Sequence, residues 1–235
     1  MFAGSTVLLT GVGAEGQVGE AVAIAFADLG ASLALVDRTA EKAVARADAI
    51  AARGGTARGY GCDLADADAV AALAETVRAN HGEKLRALVH MAGGFAMSGP
   101  VAESSLDVWN RQIAINLTTA YITARAFIPT LRASRGSIVF FSSLPVAQSA
   151  AAAEMSAYAV AKSGVAALMR AIAAEERTNG VRANAVAPGS IRTASNVASQ
   201  GANARYVERE QVSAAVTFLC SDDASAITGQ LIALT

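Results

Sequence analysis

Short apolar runs alternate with longer stretches of helical periodicity from one end of this chain to the other, and no other feature limits its possible folds as sharply. The runs occupy residues 5–9, 32–36, 85–90, 136–141, 181–186 and 230–234, with a poor strand read at 56–61; the helical stretches occupy 20–30, 39–53, 65–80, 104–131, 155–177 and 207–220. Strands separated by a helix run parallel, because the crossover returns the chain to the edge it left. The alternation therefore predicts an α/β protein: a three-layer, doubly wound Rossmann fold around a seven-stranded parallel sheet. No linker, repeat or break in composition divides residues 1–235, so a single domain is expected. The stretch 104–131 is expected to be interrupted near Pro129, whose ring and missing N–H oppose a helix. Within it Trp109, Ile113, Leu117 and Ala120 are spaced to share one buried face.

Ligands of such sheets bind beyond the carboxyl ends of the strands, so the chemistry is sought there. The first run ends in Thr10-Gly-Val-Gly-Ala-Glu-Gly-Gln-Val-Gly19 and opens a helix closed by Gly30. Glycines at that point let the backbone turn tightly and approach a pyrophosphate seated on the helix N-terminus. Gly11, Gly13, Gly16, Val18 and Gly19 are accordingly candidate contacts to a dinucleotide; an ordinary βα loop is the plain alternative. The second run leads to Asp37, at the place where an acid accepts hydrogen bonds from the adenosine ribose hydroxyls. It would also repel a 2′-phosphate. Arg38 beside it would attract one, so Asp37 points to NAD while Arg38 leaves NADP open.

Tyr158-Ala-Val-Ala-Lys162 puts a phenol and an ammonium one helical turn apart on the same face. A neighbouring cation favours phenolate, so Lys162 is expected to lower the Tyr158 pKa and let it pass a proton near neutral pH. Any surface helix can carry such a pair, and its weight comes from its company. Asn116 lies mid-helix, where an amide side chain competes with the backbone and needs a reason to be there. Ser142-Ser143 ends the fifth run, and Pro188-Gly189 follows the sixth. The plain alternatives are a strand-end cap for Ser143, packing for Tyr158 and a solvated charge for Lys162.

A formal net charge of −1, with no Lys/Arg block, leaves no electrostatic footprint for nucleic acid. No uninterrupted apolar run approaches the ~18 residues of a membrane span. Residues 5–9 already read as a strand where a targeting segment would lie, so a cytoplasmic protein without a membrane partner is expected. Cys62, Cys220, His81 and His90 have neither disulfide nor metal-ligand spacing, and no metal is expected.

Taken in order, these motifs resemble the short-chain dehydrogenase/reductase family over nearly the whole chain. Thr10-Gly11 with Gly19-Glu-Ala-Val-Ala resembles its cofactor glycine motif, Asp63-Leu64 its adenine-contacting pair, and Ala92-Gly93 the end of its Asn-Asn-Ala-Gly motif. Asn116, Ser143, Tyr158 and Lys162 match its catalytic tetrad. The segment from Asn184 through Pro188, Gly189, Ile191 and Thr193 resembles the one that holds the nicotinamide. The resemblance implies an oxidoreductase moving a hydride between NAD(H) and a secondary alcohol or ketone. Tyr158 would carry the hydroxyl proton and Ser143 would position the substrate oxygen. Lys162 would hold the nicotinamide ribose, and Asn116 would fix a water in a proton relay. Two other readings are an NADPH-dependent carbonyl reductase, such as a 3-oxoacyl-carrier-protein reductase, and a nucleotide-binding protein without turnover. A homodimer or homotetramer is implied through the helices at 104–131 and 155–177.

The chain also departs from the family pattern. Its glycine loop is longer, leaving open which middle glycine faces the phosphates. His90-Met91 stands where the family has two asparagines, and His90 is read as structural. Of the pair Ser142 and Ser143, the second normally serves. Residues 194–206 are short and rich in Ala, Ser and Asn. They are expected to form a loop that orders only over bound ligand, leaving the site open to a bulky substrate.

Overall fold

The computed structural model describes residues 2–13, 15–148 and 152–235. Seven strands, β1 (Thr6–Thr10), β2 (Ser32–Asp37), β3 (Thr56–Gly61), β4 (Ala87–His90), β5 (Ser137–Phe141), β6 (Arg182–Pro188) and β7 (Leu231–Leu234), form one sheet in the order β3-β2-β1-β4-β5-β6-β7. Every pairing is parallel. The order reverses between β1 and β4, so the ends of those strands part and open a crevice at Gly11 and Ala92.

Alternation along each strand divides the core in two. Leu8, Ala34, Val36, Ile138 and Phe140 point to one face, packed by α3 (Ala67–His81), α5 (Thr119–Arg132) and α7 (Ser156–Glu175), while the short α6 (Leu144–Ala147) follows β5. Val7, Leu9, Leu33, Leu35 and Val139 point to the other, packed by α1 (Val18–Asp28), α2 (Ala40–Ala52) and α9 (Arg209–Cys220). These are the three layers expected from the alternation of strand and helix.

Four local expectations change. Pro129 lies inside α5, in its last turns, where the helix forgoes one internal bond and continues to Arg132. The real interruption falls earlier, between α4 (Leu106–Ile113) and α5, as a π-helical segment over Ala114–Thr118. Its cause is legible in two side chains. Asn116 Nδ2 takes the Gln112 carbonyl and Thr119 Oγ1 the Ile115 carbonyl, so the ladder widens around them. Trp109 is 37% exposed rather than buried, whereas Ala120 is fully covered. Residues 194–206 begin with a helix, α8 (Ala194–Gln200), capped by Thr193 Oγ1 on Asn196 N and tied back by Asn196 Nδ2 to Ile191 O. Finally, α7 is long and apolar enough to cross a membrane by length and composition alone. Ala161, Val165 and Met169 bury it against the sheet, and the buried Lys162 interrupts its apolar positions.

β3, with Arg-Gly-Tyr-Gly at its end, is a weak strand by propensity. Its glycines serve the helix above it: a Cβ on Gly59 would lie 2.4 Å from the Ala43 carbonyl carbon, so α2 rests directly on strand backbone. Alanine would gain roughly 0.5–1 kcal/mol in chain entropy there, but forcing two backbones apart costs roughly 1–3 kcal/mol. Packing wins. Gly59→Ala is expected to lower the urea midpoint by about 1–2 kcal/mol of stability with an unchanged slope.

Candidate active site

The glycine turn is shaped by contacts that only glycine permits. A Cβ on Gly19 would lie 2.6 Å from Gly11 O, and one on Gly11, which has φ +72°, 2.7 Å from Ala92 N. α1 therefore starts directly on the turn, with Val18 in its first turn. No side chain caps Gln17 at the helix start, which leaves first-turn N–H groups for an anion such as a pyrophosphate. The two middle glycines are held by different acids. Gly13 N donates to Asp37 Oδ2 at 2.9 Å, and Gly16 N to Glu20 Oε2 at 2.7 Å. Ala14, between them, lies outside the described residues. Glu20 also pairs with Arg46 of α2 at 2.5 Å and Arg209 of α9 at 3.4 Å. Burial alone would raise the Glu20 carboxyl, but Gly16 N–H, Arg46 and Arg209 hold it below its ordinary value. This cluster is invisible in sequence, since its members come from three helices.

Asp37 ends β2 with its second oxygen accepting from Thr39 N at 3.3 Å, while Arg38 is exposed beside it. Asp63 is exposed and accepts from Ala65 N, with Leu64 buried next to it. A dinucleotide would thus meet a glycine-lined helix start and a carboxylate at the end of the neighbouring strand. The residues present fit such a ligand.

At the end of β4, His90 is fully buried and both ring nitrogens are engaged. Nδ1 lies 3.1 Å from Thr10 Oγ1 and Nε2 3.4 Å from Thr119 Oγ1. Thr119 gives its own proton to Ile115 O, so it can only accept, which makes His90 an Nε2–H donor and an Nδ1 acceptor. Burial first, and the Lys162 charge second, press the His90 pKa down to about 3. It is a neutral brace joining the glycine turn to the π segment, the structural role read from the sequence.

Asn116 and Lys162 meet at Gly93, Tyr158 borders the same cleft as Gly93 and Lys162, and Ser143 lies against the Tyr158 phenol. Asn116 Nδ2 donates to Gly94 O at 2.9 Å while Oδ1 accepts from Gly94 N at 3.1 Å. A Cβ on Gly93 would lie 2.5 Å from Asn116 Oδ1 and 3.4 Å from Lys162 Nζ. Lys162 Nζ, buried, donates to Phe141 O at 2.9 Å and sits 5.8 Å from the centre of the Tyr158 ring. Ser142 and Ser143 separate cleanly. Ser142 Oγ gives its proton to Lys162 O at 3.0 Å, whereas Ser143 Oγ is buried next to the Tyr158 phenol and has no other partner among the described residues. Pro188, Gly189 and Ile191 frame the cleft of about 210 Å³ that also exposes Tyr158 and Lys162. Thr193 stands apart from that lining and caps α8. Phe95, which the sequence reading passed over, meets the Tyr158 ring edge-on with centroids 5.0 Å apart.

One electrostatic expectation reverses. Burial raises the Tyr158 pKa to about 12, and the nearby Ser143 hydroxyl eases that shift only in part. Lys162 contributes no resolved lowering, because its own burial pulls it down to about 8 and its ammonium faces Phe141 O. The phenol is therefore protonated at neutral pH.

With this geometry in place, comparisons with known proteins agree on its class. The family model described as enoyl-(acyl carrier protein) reductase matches residues 11–234. A D-threitol dehydrogenase from Mycolicibacterium smegmatis is 35% identical over 238 residues, covering 96% of this chain and 89% of its own length. An NAD+-bound xylitol dehydrogenase superposes with a TM-score of 0.90 at 26% identity, over 99% of this chain and 98% of that one. A Beutenbergia cavernae protein assigned as an NAD(P)-dependent gluconate 5-dehydrogenase, holding NADP at low occupancy, reaches 0.87 at 33% identity over 98% and 95%. The chain belongs to the short-chain dehydrogenase/reductase family. It is an oxidoreductase of the class that acts on CH–OH groups with NAD(P) as acceptor.

The His90 environment generates a testable pH dependence. Its folded pKa lies below the unfolded value, so the unfolded chain binds the extra proton first. Stability is full above about pH 6.5 and falls as pH drops toward the folded value near about 3. The expected slope in that window is about 1.4 kcal/mol per pH unit. Denaturation midpoints from pH 7 to 4 check it, and His90→Asn is expected to remove this component.

Proposed function

We propose that the chain oxidises a secondary alcohol, or reduces the matching ketone, with NAD(H), using Asn116, Ser143, Tyr158 and Lys162 as its catalytic set. One observation carries the reading: Ser143 Oγ is buried beside the Tyr158 phenol with no other partner among the described residues, as a hydroxyl awaiting a substrate oxygen would be. When bound, the nucleotide supplies the hydride acceptor for the alcohol or the donor for the ketone. The chain supplies everything else. Ser143 holds the substrate oxygen, Tyr158 takes its proton in oxidation and returns it in reduction, and Lys162 offers its remaining N–H groups to ribose hydroxyls. Asn116, whose side chain is fixed across Gly94, would hold a water bonded to Lys162 as the start of an outward relay.

NAD is favoured over NADP because Asp37 lies at the end of β2 with its carboxylate turned toward the glycine turn, where a 2′-phosphate would meet a like charge. Gly11, Gly13, Gly16, Val18 and Gly19 would cradle the pyrophosphate; Asp63 and Leu64 would border the adenine. Ala92, Gly93, Pro188, Gly189, Ile191 and Thr193 would border the nicotinamide half. A homodimer or homotetramer is proposed from Leu106, Trp109, Tyr121 and Val160, large apolar side chains left exposed on α4, α5 and α7. A cytoplasmic setting accords with this chemistry.

Tyr158→Phe is expected to keep NADH affinity and lose at least about a hundredfold in kcat; retained turnover would assign the proton to another group. Wild-type ketone reduction should be flat through neutral pH, since the phenol is already protonated. Alcohol oxidation needs phenolate and should rise with pH from 7 to 10, by up to about tenfold per unit. Fluorescence titration should give tighter NADH than NADPH binding, with Asp37→Ala narrowing the gap. A single monomeric species by light scattering would refute the proposed assembly.

A further inference from the structure

We propose that the substrate is a neutral, apolar alcohol or ketone seated against Phe95, not a polyol or an acid; this deepens, and rests on, the hydride-transfer reading above. Two segments border the cleft. Residues 91–99 contain no Asp, Glu, Lys or Arg, and residues 189–197 contain only Arg192. That arginine is already engaged: it pairs with Glu208 at 2.7 Å and lies over the Tyr206 ring at 4.6 Å. An anionic substrate therefore finds no free cation in these segments.

Two polar side chains that border the cleft are already engaged: Asn196 Nδ2 donates to Ile191 O and Ser142 Oγ to Lys162 O. A site that discriminates for extra hydroxyls needs groups waiting to bond them. Ser143 Oγ, buried beside the Tyr158 phenol, is the group the reacting oxygen uses. What the cleft presents besides is apolar: Phe95, which borders it, is 58% exposed, and Met97 in the same segment is 49% exposed. Phe95 stands edge-on to Tyr158, so a substrate placed on the phenol is brought against the Phe95 ring.

The experiment compares cyclohexanol with threitol in two assays. One is NAD-dependent oxidation; the other is calorimetric titration of each alcohol into protein saturated with NADH, a complex that binds without turnover. We expect kcat/KM for cyclohexanol to exceed that for threitol by about a hundredfold. Phe95→Asn should lower that ratio about tenfold with NADH affinity unchanged. A disturbed Tyr158 would slow both alcohols together, so an unchanged ratio overturns the proposal. Preference for threitol, or failure of cyclohexanol to bind, overturns it too. Cyclohexanol binding without turnover would uphold the apolar site and sink hydride transfer. Threitol turnover without cyclohexanol binding would do the reverse.

Discussion

Lys162 carries its ammonium at the buried edge of the cleft, with Phe141 O as its one acceptor among the described residues, and the neighbouring groups are arranged around that charge. A buried ammonium short of acceptors is expensive, by several kcal/mol before relaxation. The chain meets this cost in three ways. Burial draws the lysine pKa down to about 8, so part of the population sheds its proton in mild alkali. Gly93 has no side chain to displace Asn116 or press on Nζ. Ser142 bonds the Lys162 carbonyl and so pins the helix turn that aims the side chain. In return the charge helps keep His90 neutral, which preserves the Thr10–His90–Thr119 brace.

That brace shows how a departure from a family pattern can keep its mechanical purpose. Imidazole with one donor and one acceptor spans two threonines as an amide would, provided it stays uncharged. Met91 next to it bonds the sheet through its backbone alone, N–H to Thr10 O at 3.3 Å, and otherwise borders the cleft, so the two replaced side chains differ in what they do.

Much of this was legible in the sequence because it depends on period and order. The seven runs became seven strands within one or two residues of their expected ends; strands buried on both faces, such as β1, β4 and β5, are nearly continuously apolar, whereas β3 at the sheet edge follows from its place in the alternation. The site residues at strand ends followed for the same reason. What sequence could not carry is competition between distant groups. The Tyr158–Lys162 spacing gave proximity and therefore a sign for the pKa shift, but the depth of burial, set by the whole fold, decided the opposite sign. The π segment was hidden because it arises from side chains of Asn116 and Thr119 seizing carbonyls, while Pro129 advertised a break that its place near the helix end made unnecessary. The sequence of 194–206 lacks an apolar period, yet Thr193 and Asn196 supply polar bonds that close α8 without one.

The acids that hold the glycine turn bear on when order is acquired. Asp37 grips Gly13 and Glu20 grips Gly16, and Arg46 and Arg209 clamp Glu20 in turn. Fixing a residue's backbone costs about 1–2 kcal/mol of entropy. Because these four side chains impose the turn as the helices dock, that entropy is surrendered during folding and need not be surrendered again when a ligand arrives. The same bonds make the turn hostage to α9: a lesion at Arg209, far along the chain, would reach the ligand as lost preorganisation rather than as a lost contact.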